Sequence, residues 1–278
     1  MTGQGDGGAA NWGKASRQWS LLASPLRPDA GDVAFAEAAI ADWFAANGRP
    51  PRALVLGVTP ELTACAWPAG TRLVAIDNSW AMIDALWPAP GVPAGARVLC
   101  ADWRAMPLPD AAIDVVVGDG CYSAAPFRDA ATISREVARV LAPGGVFAIR
   151  TFGSPDQRED LEELFRAIVE GRVGNVHALK WRLAAIVQPR VEEGARLGDI
   201  WTAFQALRPA IARVEGGPGW TVAELGTLDR YRDNDLRYCF PTEGEFRAVT
   251  GPWLVEEGRS HGTYPLAERC LRYRFRRR

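Results

Sequence analysis

Apolar and polar positions change rhythm several times along the chain. Residues 1–11 (MTGQGDGGAAN) show no periodicity and read as a loose tail. After a stretch carrying Trp12, Trp19 and two prolines, VAFAEAAIADWFAA repeats at helical spacing. Asp32 stands at its start and Asn47-Gly48 at its end, a cap and a stop. Pro50-Pro51 then lead into RALVLGV, a compact apolar run suited to a strand covered on both faces.

From that point short apolar runs alternate with helical segments. RLVAID, ARVLCADW, AIDVVVGDG and VFAIRTF read as the second to fifth strands. The segments TPELTACAW, SWAMIDALW and RDAATISREVARVL read as the helices around them, the last ended by Ala142-Pro143-Gly144-Gly145. Strands alternating with helices give parallel βαβ units with right-handed crossovers, and hence an α/β, doubly wound, mostly parallel sheet. After Phe152 the rhythm turns helical. SPDQREDLEELFRAIVEGR begins with Ser154 as cap and Pro155 in the first turn, and NVHALKWRLAAIVQ and LGDIWTAFQALRPAIARV follow with no buried strand between them. PTEGEFRAVTG reads as a short helix, and WLVEEGRS and RCLRYRFRR as two closing strands, which makes seven in all.

Composition narrows the class. The 278 residues are 48% hydrophobic and 23% charged with a formal net charge of −1, as in ordinary globular domains with a full core. No basic half is set against an acidic one, which disfavours nucleic acid or a membrane surface as partner. The basic end Arg276-Arg277-Arg278 is too short to change that. No apolar run reaches membrane-spanning length, and no secretory signal opens the chain. Five scattered cysteines with no C-x-x-C pair, and only two histidines, predict free thiols, no metal site and a cytoplasmic location.

Three segments carry a family pattern. RLVAIDNSWAMIDAL ends a strand in Asp77 and continues as D-x-S-x-x-M through Ser79 and Met82. CADWRAMPLPDAAIDVVVGDGCYS places Asp102, Pro107, Pro109, Asp110 and Asp114 in order. ISREVARVLAPGGVFAIR holds Glu136, Arg139, Val140, Leu141, Pro143, Gly144 and Gly145. At this order and spacing the chain resembles the class I S-adenosylmethionine-dependent methyltransferases over roughly residues 50–152. The resemblance implies a Rossmann-like methyltransferase sheet of seven strands, with a helical insertion between strands five and six. Residues 1–31 would then be a tail and lid, 32–153 the cofactor-binding core, 154–240 a helical substrate cap, and 241–278 the closing strands.

S-adenosyl-L-methionine is the cofactor so implied. Ligands of open parallel sheets bind at the carboxyl ends of the strands, so Asp77 would accept the ribose hydroxyls, although that geometry also suits a nicotinamide dinucleotide. Asn78 and Met82 would border the adenine, Asp102 would accept its exocyclic N–H, and Trp103 would stack or pack. The first turn departs from the family: Gly57 is present, but Thr59 and Glu61 stand where glycines are usual and Val55 replaces the acidic residue. A pyrophosphate would need those glycines. Thr59-Pro60-Glu61 is a good helix start, and Glu61 either pairs with the cofactor's ammonium or serves only the helix dipole.

The loop Gly118 to Ser123 would face the transferring methyl, with Asp119 and Gly120 at the cofactor and Asp119 and Tyr122 positioning the acceptor. His177 is a minor candidate for a base, and His261 a lesser one. Trp19 and Trp181, with Trp12, Trp201, Phe204 and Trp220, would roof an apolar pocket, and Gln18-Trp19 would form a lid. The expected activity is methyl transfer to a small-molecule O, N or S acceptor by a monomer or homodimer. A scaffold with weakened cofactor binding is the competing reading. An RNA or protein methyltransferase is disfavoured by the missing basic face and the missing N/D-P-P-Y/F motif.

Overall fold

In β1 (Arg52–Leu56), Ala53 and Val55 point to one side of a sheet and Leu54 and Leu56 to the other, and all four are fully buried. The computed structural model describes residues 19–212 and 219–278. The expected tail, Trp12 and Gln18 lie outside the described residues, as does the end of the segment read to residue 214.

The strands β2 (Arg72–Asp77), β3 (Arg97–Cys100), β4 (Ile113–Asp119) and β5 (Leu141–Arg150) follow in parallel. A two-residue pair, β6 (Ala195–Arg196) with β7 (Arg237–Tyr238), forms apart from the main sheet. β8 (Leu254–Ser260) and β9 (Arg272–Arg277) close the main sheet in the order β3-β2-β1-β4-β5-β9-β8. β9 runs antiparallel to both β5 and β8. The chain starts mid-sheet, runs outward to β3, then returns to place β4 beside β1. The switch point, and therefore the crevice for a ligand, lies at the carboxyl ends of β1 and β4.

Both faces are covered, as the continuous apolar runs require. On one face α1 (Ala30–Asn47) seats Ala36, Ala39, Ile40 and Trp43 on Ala53, Val55, Val115, Val117 and Ala148. On the other, α5 (Ala130–Val140) and α10 (Glu243–Thr250) bring Ile133, Val137 and Phe246 against Leu54, Val116, Phe147 and Phe275. A third apolar cluster belongs to the helices after β5: α6 (Leu161–Val169), α7 (Val176–Val187) and α8 (Leu197–Ile211), followed by the short α9 (Val222–Gly226).

Several local expectations are corrected. The cap of α1 is Asp29, whose carboxylate accepts from the Asp32 N–H while Asp32 accepts from Asp29, a reciprocal box. The helix expected from Ser154 begins at Leu161, capped by Asp160 with Glu163 in the same reciprocal manner. The helix after β1, α2, is a single turn (Pro60–Thr63), and the Thr59 side chain makes no capping bond. Ala64 to Pro68 then run as a loop whose carbonyl at Pro68 accepts from the Thr71 N–H and hydroxyl. α3 (Trp80–Leu86) does begin at a capping Ser79, whose hydroxyl accepts from the Met82 N–H. No described helix is long and apolar enough to cross a membrane.

The family motif builds scaffold as well as site. Arg139 on α5 donates to Glu136, to Asp110 and to the carbonyls of Met106 and Leu108, while Glu136 accepts the Met106 N–H. One arginine thus pins the loop before β4 to a helix. Asp114 is held by Arg49 and Arg52 through five hydrogen bonds, which keeps it far below the ordinary carboxylate range against the cost of burial. Gly145 is obligatory for space: a Cβ there would sit 2.9 Å from the Ala142 oxygen and 3.0 Å from that of Asp114.

Candidate active site

The crevice begins where β1 ends. Gly57 takes φ 94°, a conformation open to glycine, and its N–H donates to the Ile76 carbonyl at 2.7 Å. A Cβ there would lie 3.8 Å from Asp77 Oδ2, 3.9 Å from Trp103 Cζ2 and 4.0 Å from Thr59 Oγ1. The turn after β1, the end of β2 and the loop after β3 therefore converge on Gly57.

Asp77 ends β2 at 9% exposure. Its Oδ1 accepts the Ser79 N–H at 2.8 Å, and among the described residues no cation pairs with it. Burial pushes the carboxyl up to about 6, opposed only by that one bond. Trp103 donates its indole N–H to the Ile76 carbonyl at 2.7 Å, which lays the ring against Gly57 and Asp77. Asn78 is exposed beside this cluster.

Glu61, in α2, faces the segment before α1. Its Oε1 accepts from the Trp19 indole at 3.4 Å and from the Arg27 guanidinium, which also donates to the Trp19 carbonyl and lies over the Trp19 ring. Its Oε2 is buried and has no partner. The segment from Trp19 to Asp29 is thereby strapped across the crevice by Glu61. Sequence reasoning placed Trp19 here among aromatics roofing a substrate pocket; the structure makes it a donor to Glu61.

Other expected site residues are committed elsewhere. Asp119, at the end of β4, is gripped by Arg150 of the neighbouring strand, Nε to Oδ1 at 2.6 Å and Nη2 to Oδ2 at 3.0 Å. Burial pushes its carboxyl up, against the pull of Arg150. Arg150 also pairs with Asp32 at 3.2 Å and donates to the Pro25 carbonyl and the Tyr264 hydroxyl. Asp119 is thus part of a buried clasp and not a free group for an acceptor or cofactor. Gly120, with φ 63°, lies under the Phe152 ring, 2.8 Å from where its Cβ would be.

Tyr122 is 2% exposed; its hydroxyl bonds Ser134 at 2.9 Å and its ring meets Phe246 edge-on at 5.1 Å. It is core, turned inward on a single-turn helix, α4 (Cys121–Ala124), and it does not face the crevice. Cys121 is likewise buried, and its thiol is pushed up by burial. Met82 packs in the core cluster beneath α1. Asp102 pairs with its own neighbour: Arg104 donates to it through the backbone N–H at 2.8 Å and through the Nε and Nη2 edge of its guanidinium, which lowers the carboxyl's pKa. The Asp102 side chain keeps 37% of its surface exposed.

Beyond Phe152 a cavity of about 790 Å³ opens among the helices after β5. Leu22 and Leu26 of the strap, Trp181 of α7 and Phe240 border it. Trp181 is locked by its indole N–H to the Gly153 carbonyl at 2.8 Å and by the Phe152 and Phe240 rings at 4.5 and 5.3 Å. His177, a turn before Trp181, is not on the wall of this cavity; burial, and then Lys180, lower its pKa to about 4 and keep it neutral. Lys180, Phe152 and Arg27 were not anticipated. The signal for Lys180 was present, a lysine in a segment where, apart from His177 and Arg182, every other residue is apolar.

Residues 54–149 match the family model of the methyltransferase domain, a span running from β1 to β5. Over this segment the chain is similar to the methyltransferase domain. A Rhodobacter sphaeroides protein provisionally described as a Zn-dependent alcohol dehydrogenase is 16% identical over 99% of this chain and 100% of its own, with a TM-score of 0.60. The N-methyltransferase NodS from Bradyrhizobium japonicum WM9, solved with S-adenosyl-L-homocysteine, is 12% identical over 98% and 99%, with a TM-score of 0.50. Both similarities establish the fold alone. No curated protein matches the chain. Among the described residues, no group of three or more His, Cys, Asp or Glu could hold a metal ion.

Proposed function

We propose that the chain transfers a methyl group from S-adenosylmethionine to a small molecule held in the cavity beyond Phe152. The observation that carries this is Asp77: a buried carboxylate with no cation, facing the Gly57 turn at the switch point. A bare buried carboxylate costs free energy unless a ligand supplies donors, and two ribose hydroxyls would do so. The unpartnered Glu61 Oε2 fits the cofactor's ammonium in the same way. The bound cofactor would supply an electrophilic methyl carbon on a sulfonium.

The rest of the task falls to this chain's residues. Gly57 admits the close backbone approach, Asp77 and Glu61 would hold the two polar ends, and the strap held by Trp19 and Arg27 excludes water. With Asp119 and Tyr122 engaged in the core, no described side chain in the crevice is left as an evident proton acceptor, so rate enhancement would come from positioning. Calorimetry with S-adenosylmethionine and S-adenosyl-L-homocysteine tests the reading. Saturable binding of both is expected; no heat at millimolar ligand would reject it in favour of a scaffold whose crevice is filled by Trp103.

A further inference from the structure

Lys180 is one of only two lysines in a chain whose 32 Lys and Arg are otherwise arginine, and it lies in the middle of α7. α7 is buried around its whole circumference from Val176 to Ala185. Lys180 is 3% exposed, yet it lines the 790 Å³ cavity. Its ammonium lies 5.7 Å from the Tyr231 ring centroid, and among the described residues no carboxylate pairs with it. The one acid on the cavity wall, Asp229, is already held by Arg208 at 2.9 Å and by the Trp201 indole at 3.3 Å. Arg230 and Arg232 add positive charge to the same wall. The remainder is apolar or aromatic, with Leu26, Phe152, Trp181, Ile200 and Phe240.

An amine in such a place is expensive. Burial, then Arg230, lower its pKa to about 8, so at neutral pH most copies still carry a charge with no anion to answer it. A leucine or methionine here would avoid that cost. Ligand pockets of this size are mostly apolar with a few polar groups that fix orientation, and a buried cation with no paired carboxylate in one selects an anion.

We infer that this cavity binds an apolar molecule bearing one carboxylate, with Lys180 as its ion-pair partner. As the acceptor for methyl transfer this ligand rests on the function proposed above, but its binding does not require the cofactor, so the two can fail separately. Leu22 and Leu26 on the cavity wall belong to the segment between Trp19 and Arg27, both of which Glu61 holds, so the strap borders the cavity.

The test uses naphthalene-2-carboxylate and naphthalene-2-carboxamide as probes on the full chain. Calorimetry should show the carboxylate binding at least about tenfold more tightly, as for a charge-assisted bond. Lys180→Met, which keeps the side-chain length and removes the charge, should erase that preference while the amide binds within about threefold of wild type. Equal affinities in the wild type, or a preference that survives Lys180→Met, would overturn the inference. A second readout needs no variant. Reductive methylation of the wild-type chain can label only Lys14, Lys180 and the terminal amine. The carboxylate should slow labelling of Lys180 and leave Lys14 unchanged; equal protection by the amide, or none by either probe, would also overturn it. Calorimetry with S-adenosyl-L-homocysteine on the same sample reports separately on the methyl-transfer reading.

Discussion

Two aspartates end the strands on either side of β1, and their surroundings are opposite. Asp119 closes β4 against a bidentate guanidinium, within a buried cluster of Arg150, Asp32 and Tyr264. Asp77 closes β2 with one backbone donor and no cation. Both are buried, so burial alone does not mark a functional carboxylate. The difference lies in whether the protein has already supplied the counter-charge. Where it has, the acid is a clasp that fixes strand ends and the strap; where it has not, the acid is left for a ligand.

Removing each in turn should separate the two roles. The largest effect is expected at the clasp. Asp119→Ala leaves Arg150 buried with only Asp32 as counter-charge, and breaking such a pair costs about 3–5 kcal/mol; urea denaturation should show a loss of that order, and one under about 1 kcal/mol would mean the clasp is not structural. Asp77→Asn should do the reverse. The Asp77 carboxyl is raised in the folded state, so the unliganded protein loses stability as pH climbs from the ordinary carboxylate value through about 6, and the cost is full above that. Asp77→Asn should therefore raise unliganded stability on the order of 2 kcal/mol at pH 7 and show no gain at pH 4. A lower melting temperature at both pH values would make Asp77 an ordinary structural residue.

Smaller effects sharpen the contrast further. Glu61→Gln removes a charge that is partly answered by Arg27, so S-adenosyl-L-homocysteine should bind about tenfold more weakly, near 1.4 kcal/mol, with little change in melting temperature. Wild-type affinity for the same ligand should fall as pH drops below about 6, because protonated Asp77 loses acceptor capacity. A flat titration between pH 5 and 8 would place the binding energy elsewhere.

The mostly parallel seven-stranded sheet and the position of Asp77 at the end of its second strand were legible because apolar runs and a recognisable motif report directly on a parallel sheet. Asp119 was misread because a carboxylate at a strand end looks the same in sequence whether free or paired. Its partner is 31 positions on, and only the β4–β5 register brings Asp119 opposite Arg150. Tyr122 was misread for a rotational reason, since a single-turn helix after Gly120 swings the ring into the core, where Ser134 and Phe246 receive it. The sequence does not show that Arg104 folds back two residues to pair with Asp102. The start of α6 was misplaced because Ser154-Pro155 and Asp160-Glu163 are both acceptable caps, and tertiary packing chose the second. Glu61 was the open question, and Trp19 and Arg27, 42 and 34 residues away, decide how much of it is free.

The central claim is that Asp77 is kept charged for a ligand. It is tested most directly by measuring S-adenosyl-L-homocysteine affinity and unliganded melting temperature together in wild type and Asp77→Asn at pH 7.5. Saturable binding by the wild type, a loss of about a hundredfold or more in the variant, and an equal or higher melting temperature for the variant are expected. Equal affinity in the two proteins, or no binding by either, would contradict the claim.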